Sequence, residues 1–212
     1  MLTTESSIKL TLKGLNKMFS GIIEEIGTIK NMTPLADGFR YTIHAKKVLK
    51  GTKLGDSIAH DGICLTVVHK SLRTFDVEVM KETIQVTALK LWKIGSGINL
   101  ERALAASQRN GGHQVSGHVD GVGKIVNLKQ EGIATIVTIE VPENLTKYMI
   151  QKGSVAVDGI SLTLTNVTKT TFALWIIPHT KLHTTLLTKK IGDPVNIEVD
   201  MLAKYVEKLM QK

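Results

Sequence analysis

One stretch of this chain occurs twice. Ser57-Ile58-Ala59-His60-Asp61-Gly62-Ile63-Cys64-Leu65-Thr66 returns, 97 residues later, as Ser154-Val155-Ala156-Val157-Asp158-Gly159-Ile160-Ser161-Leu162-Thr163. The segment from Ala88-Leu89 to Glu101 returns at the same offset as Thr185-Leu186 to Glu198. Upstream, Ser20-Gly21 to Glu24 is matched by Ser116-Gly117 to Asp120 at an offset of 96. A period this long rules out a solenoid, so the 212 residues read as two tandem modules, each a small domain. Asp-Gly is a turn dipeptide because glycine accepts positive φ and aspartate tolerates it. Apolar residues alternate on either side, so each copy reads as strand, tight turn, strand. Ser and Thr just beyond such a turn suit a small polar ligand. They equally suit a structural hairpin used twice.

Several short strands at even spacing point to barrels or sandwiches. In the first module Phe19 to Ile29, Tyr41 to Ala45 and Phe75 to Val79 read as strands, and Asn99 to Gln108 reads as a helix with Leu100, Ala103 and Leu104 on one face. In the second, Ile133 to Glu140 and Phe172 to Ile177 are strands, and a short helix runs from Asn144 to Ile150. Leu202, Tyr205, Val206, Leu209 and Met210 recur at helical spacing behind a capping Asp200. The expected division is an extension over residues 1–17, modules over 18–110 and 111–199 with the boundary at Gly111-Gly112, and a terminal helix over 200–212. Residues 1–17 hold no continuous apolar run and are poor in arginine, so they read as a start-site extension ahead of Met18 rather than a targeting segment.

Composition narrows the function. A single cysteine excludes an internal disulfide and suits a reducing compartment. Aromatics at 4% do not furnish a base-stacking surface, and the lysines behind the net charge of +8 are scattered, which attracts anions without marking a nucleic-acid face. No apolar run approaches the roughly 20 residues of a membrane helix. Dinucleotide fingerprints, phosphate-binding loops and nucleophile elbows are absent from suitable contexts.

Duplicated modules should bind where they agree and react where they differ. The shared polar positions are Ser57/Ser154, Asp61/Asp158, Gly62/Gly159, Thr66/Thr163 and Thr83/Thr180, a pattern for two similar ligands. The divergent pairs are Phe19/Val115, Ile22/His118, Cys64/Ser161, Glu82/His179 and Ala103/Asp200. His113 and His118 stand five apart in a glycine-rich segment with no completing ligand set, so they do not read as a metal site. His118 suits general-base work near neutral pH, or a structural hydrogen bond. Cys64 reads as a nucleophile or as inert packing, and its counterpart Ser161 shows that the shared task does not need sulfur.

At these residues the chain resembles the riboflavin synthases. The matching motifs are Met18-Phe19-Ser20-Gly21-Ile22-Ile23-Glu24, the two Asp-Gly-Ile-x-Leu-Thr hairpins, Gly111-Gly112-His113 with Ser116-Gly117-His118, Ile177-Pro178-His179-Thr180, and Asn196 to Asp200. The resemblance implies an all-β fold of two six-stranded Greek-key barrels with a C-terminal α-helix, associated as a homotrimer. It implies one 6,7-dimethyl-8-ribityllumazine per barrel and transfer of a four-carbon unit between the two, with no metal or redox cofactor. Carried over position by position, it implies catalytic roles for Phe19, Cys64, His118, Ser161, Thr163 and Asp200. His118 and Thr163 would assist deprotonation of the C7 methyl, Ser161 and Cys64 would contact the ring or orient water, and Phe19 would pack on the ligand. Substrate binding would fall to Gly21, Ser57, Asp61, Gly62, Thr66, Thr83, Gly117, Lys152, Ser154, Asp158, Gly159, Ile177, Pro178 and Thr180. A cytoplasmic location follows, with lumazine synthase as a further candidate partner and neither nucleic acid nor membrane. Asp61 stands where many relatives carry Asn, which puts the polarity of the first pocket in question. The nearest rival is a non-catalytic lumazine- or flavin-binding protein of the same fold. Retention of both hairpins and of Thr83 and Thr180 favours the enzyme.

Overall fold

The computed structural model describes residues 18–211, so the expectations for residues 1–17 lie outside the described residues. The first module supplies β1 (Glu25–Leu35), β2 (Gly38–His44), β3 (Ser57–His60), β4 (Ile63–Lys70), β5 (Thr74–Met80) and β6 (Gly97–Arg102). They close into a barrel in the order β1-β2-β5-β4-β3-β6. The second supplies β7 (Gly121–Glu131), β8 (Ala134–Glu140), β9 (Ser154–Val157), β10 (Ile160–Val167), β11 (Thr171–Ile176) and β12 (Pro194–Val199). These close in the corresponding order, β7-β8-β11-β10-β9-β12. Closure leaves no exposed sheet edge.

Alternation decides which face of each strand is inside. In β5, Phe75, Val77 and Val79 are buried while Asp76 and Glu78 point away. Each barrel has its own core, the first around Ile29, Ile43, Phe75 and Leu100, the second around Ile125, Ile139, Phe172 and Ile197. Each such side chain contributes roughly 1.5–3 kcal/mol by leaving water. The repeat extends to the bulges: the register shifts between Ile29 and Asn31 in β1 and between Ile125 and Asn127 in β7.

Four short α-helices, α1 (Lys81–Val86), α2 (Glu143–Thr146), α3 (Pro178–His183) and α4 (Met201–Met210), and two 3-10 turns, Ala88–Leu91 and Leu186–Thr188, complete the described chain. As expected, Asp200 caps α4, its carboxylate accepting from Leu202 N at 2.9 Å. Glu207 ties α4 to its own barrel, accepting from Lys147 Nζ at 2.5 Å and from the Tyr148 hydroxyl. Leu202, Tyr205, Val206, Leu209 and Met210 are left exposed. Among the described residues no helix is long and apolar enough to cross a membrane.

Two expectations are corrected. Asn99 does not begin a helix: Asn99 and Leu100 lie in β6, paired with β1 and β3, and residues 103–110 are irregular. The spacing of Leu100 and Leu104 mimicked a helical face, yet Leu100 points into the barrel while Leu104 lines a cleft. The strand expected from Phe19 starts only at Glu25, because Gly21 turns the chain at φ 75° and Phe19 makes a single bridge to Val115.

That bridge lies in the junction between the barrels, which an approximate two-fold relates. The two Asp-Gly turns meet back to back. Gly62 and Gly159 have φ of 82° and 76°, and a Cβ on Gly62 would sit 2.8 Å from Gly159 N. Asn99 reaches across, donating to Asp158 O at 3.0 Å and accepting from Thr185 N at 2.8 Å. Asn196 answers with Asp61 O at 2.9 Å and Ala88 N at 2.8 Å. The one large asymmetry concerns the buried aspartates. Asp61 accepts from Trp92 Nε1 at 3.1 Å, whereas Asp158 pairs with Lys189 Nζ at 2.6 Å. Burial and the neighbouring Asp158 charge push the Asp61 carboxyl up to about 7, opposed by Lys189.

Candidate active site

Each barrel carries one cleft, and the repeat places both alike. The first, of about 830 Å³, is lined by residues 51–57, by Arg102 to Ala105 and by Gln108. The second, of about 680 Å³, is lined by Lys147, Tyr148, Ile150, Gly153, Ser154, Asp200 and the inner side of α4. Both volumes suit a bicyclic ligand with a polyol chain. Ser57 and Ser154 are equivalent lining residues. Thr66 stands opposite Ser57, and Thr163 opposite Ser154, so each pair occupies one face of its hairpin. Cys64 and Ser161 lie two residues before these threonines and share their face.

Crossed segments join the two barrels. Ser20 and Gly21 are held by Glu101 of their own module, with Ser20 N, Ser20 Oγ and Gly21 N at 2.7, 2.7 and 3.0 Å from the carboxylate. Gly21 O then accepts from Ser161 N of the other barrel at 2.8 Å. The second module mirrors this: Glu198 holds Ser116 and Gly117, and Gly117 O accepts from Cys64 N at 2.9 Å. A Cβ at Gly21 would fall 2.6 Å from Ser161 Cβ, and one at Gly117 2.5 Å from Cys64 Cβ, so only glycine allows the approach. Burial pushes the Glu101 carboxyl up to about 7 and raises that of Glu198, against the hydrogen bonds that favour the carboxylates.

The crossing determines which barrel each segment lies against. Val119 packs on the first core and Ile23 on the second. His118, between Gly117 and Val119, therefore stands exposed at the first barrel, on the Cys64 side, and Ile22 stands at the second. Thr163, expected to act with His118, lies exposed on the second barrel, so within one chain the two stand on different barrels. At Ser161 the structure brings in His113 instead, with Nδ1 2.7 Å from Ser161 Oγ. Burial lowers the His113 pKa, and the Asp200 carboxylate opposes that shift. The sequence offered only the position of His113 beside Gly111-Gly112 as a signal.

Five further candidates are also corrected. Phe19 is fully buried between the barrels, in a cluster with Ala59, Val115 and Ala156, not free to pack on a ligand. Asp61, Gly62, Asp158 and Gly159 are buried in the junction, where the carboxylates are committed to Trp92, Lys189 and the backbone N–H groups of Asn99 and Asn196. The question raised by Asp61 concerns the junction rather than a pocket. Thr83 on α1 and Thr180 on α3 are half-buried at equivalent places, and Ile177 and Pro178 are exposed at the start of α3. Lys152 is exposed beside the second cleft, with φ 67°. Among the described residues, no three His, Cys, Asp or Glu side chains gather as a metal site.

Comparison with known proteins agrees with this geometry. The Lumazine binding domain family matches residues 20–103 and again 116–200. Riboflavin synthase of Bacillus subtilis is 45% identical over 195 residues, covering 92% of this chain and 91% of that protein. The Photobacterium phosphoreum riboflavin synthase is 44% identical, covering 91% and 89%. That of Schizosaccharomyces pombe is 42% identical, covering 92% and 94%. Among solved structures, LumP complexed with 6,7-dimethyl-8-(1'-D-ribityl) lumazine superposes with a TM-score of 0.77 at 24% identity, covering 85% of this chain and 98% of that one, which is a likeness of fold. Two lumazine-binding domains in tandem, with close relatives of the same name across almost their whole length, place this chain in the riboflavin synthase family.

Proposed function

We propose that the chain acts as a riboflavin synthase whose two clefts each hold one 6,7-dimethyl-8-ribityllumazine. One molecule gives up a four-carbon unit to the other, leaving riboflavin and 5-amino-6-(D-ribitylamino)uracil. The observation that carries this reading is the duplication of a single cleft. A reaction between two identical molecules calls for two similar sites, and holding both replaces an encounter in solution, an effect worth up to roughly 7–11 kcal/mol in favourable geometry.

His118 and Cys64 serve the first site, with Ser57 and Thr66. Ser161, Thr163, Asp200, Ser154 and Lys152 serve the second, and Thr83 and Thr180 flank them. Lys152 supports this assignment through its backbone. Its counterpart Gly55 has φ 88°, a region lysine enters only at a cost, and such strain is commonest at working residues. His118 and Thr163 lie on different barrels, so their cooperation calls for the first cleft of one chain to face the second of another. Tyr205 and Leu209 of α4, exposed and outside the lining of the second cleft, support such an assembly, which we take to be a homotrimer. The domain division at 18–110, 111–199 and 200–212, a cytoplasmic location and association with lumazine synthase belong to the same proposal.

The test is direct. Purified protein incubated with the lumazine alone should develop riboflavin fluorescence without added cofactor. Stoichiometric binding with no riboflavin would instead establish a non-catalytic binding protein.

A further inference from the structure

We infer that His113 is a positioning residue for the second site, fixing the direction of the Ser161 hydroxyl through its Nδ1–Oγ hydrogen bond. The inference deepens the proposed function and rests on it. A serine hydroxyl is a rotor with one proton to give and two lone pairs to offer. The 2.7 Å contact to Nδ1 takes one of these and aims the rest. If Nδ1 is the acceptor, the serine proton is committed to the ring and Oγ is left to accept from the ligand. If Nδ1–H donates, the serine proton is free for a ligand acceptor. In either tautomer the hydroxyl no longer turns freely.

The segment that carries the ring is held by its backbone. His113 N donates to Ser20 O at 3.2 Å, tying the segment to the first module. Gly112 lies so close that a Cβ there would stand 2.9 Å from Ser161 Oγ. His113 Nε2 is buried and meets no polar partner among the described residues, so the Nδ1 contact to Ser161 is the hydrogen bond the ring makes there. Asp200, whose charge opposes the burial of this ring, also lines the second cleft.

The two modules differ in sequence at these positions. The first barrel has Cys64 where the second has Ser161, and Ala103 where the second has Asp200. A thiol is a poor hydrogen-bond partner compared with a hydroxyl. Two identical substrate molecules therefore meet unlike polar surroundings, which a reaction that makes one a donor and the other an acceptor requires.

The experiment compares His113→Phe, His113→Asn, Ser161→Ala and the double variant His113→Phe/Ser161→Ala in the lumazine turnover assay. Phenylalanine fills the space without the bond and should lower kcat about tenfold, the size of one lost hydrogen bond. Asparagine places an amide near Nδ1 and should restore most of the rate. The double variant should be no slower than Ser161→Ala, because both changes remove one interaction. An active His113→Phe protein, an asparagine variant no better than phenylalanine, or multiplicative losses in the double variant would each overturn the inference. Failure of the functional reading looks different, since the unmutated protein would then make no riboflavin. The bond is also read without turnover: Ser161→Ala should shift the His113 Nδ1 resonance in ring nitrogen spectra, and an unmoved resonance would refute the positioning role.

Discussion

Exchanging Lys152 and Gly55 isolates the energetic cost of a working side chain. The two residues occupy one position in the repeat, each in the turn entering the first strand of its hairpin. Gly55 N donates to Val67 O at 2.9 Å and Lys152 N to Leu164 O at 2.7 Å, so the local backbone is the same. Their φ values are 88° and 67°. A Cβ added at Gly55 meets nothing within 4 Å, so the stability effect of Gly55→Lys comes chiefly from backbone strain. A non-glycine residue in the left-handed region costs about 1–2 kcal/mol. Glycine returns about 0.4–1 kcal/mol of that through the greater freedom of the unfolded chain. The net expectation is that Gly55→Lys destabilises by about 1 kcal/mol and Lys152→Gly stabilises by a similar amount. For a chain of this size that corresponds to roughly 2–4 °C in Tm, in opposite directions, and urea unfolding should show the midpoint moving at constant m. Lys152→Gly should also weaken lumazine binding. A neutral Gly55→Lys, or a destabilising Lys152→Gly, would refute the strain argument.

Four other outcomes are expected. Lys189→Met leaves the buried Asp61 and Asp158 without their cation. Lys189 opposes the burial and the Asp158 charge that push the Asp61 carboxyl up to about 7, so its removal raises that carboxyl further, and the variant's deficit should grow as pH rises through 7, where the native carboxyl ionises near its cation and the variant's does not, toward about 3–5 kcal/mol; a pH-independent deficit in urea unfolding would contradict the shared-cation arrangement. Removing residues 203–212 should give monomers in sedimentation and cut turnover sharply, and a trimeric truncated protein would refute the role given to α4. Co-expressed His118→Ala and Ser161→Ala chains should recover activity above either alone, because mixed assemblies pair an intact first cleft with an intact second; no recovery in verified mixed trimers would place the reaction within one chain. A protein beginning at Met18 should fold and turn over normally, and an inactive one would tie residues 1–17 to the first site.

The repeat made the paired barrels legible, because period-two alternation and Asp-Gly turns act locally. What the repeat could not reveal was which module a segment ends on. The pairings Ser20–Glu101 and Cys64–Gly117 are set by tertiary closure, so His118 read naturally as a residue of the second barrel although it stands at the first. Asp61 and Asp158 looked like ligand contacts because polar residues at turns usually face solvent. Here two turns bury each other, and the carboxylates are consumed by the junction. Leu100 and Leu104 were misread for a simpler reason, since a spacing of four fits a helix face and also two independent burial events. Ser57 and Ser154 line the clefts because strand register places them there, with Thr66 and Thr163 directly opposite on the paired strands.

The covalent link between the modules acts as a concentration. The junction is isologous in form, with Asn99 answering Asn196 and Gly62 answering Gly159. As two separate chains it would have to be strong enough to hold at cellular dilution. Residues 103–112 make the second event intramolecular, at an effective concentration of about millimolar for a short connection. A contact that would fail between free halves survives in the tethered chain. The interface can therefore tolerate Trp92 on one side and Lys189 on the other, and the two clefts are free to drift apart, to Cys64 and Ser161, without the pair dissociating.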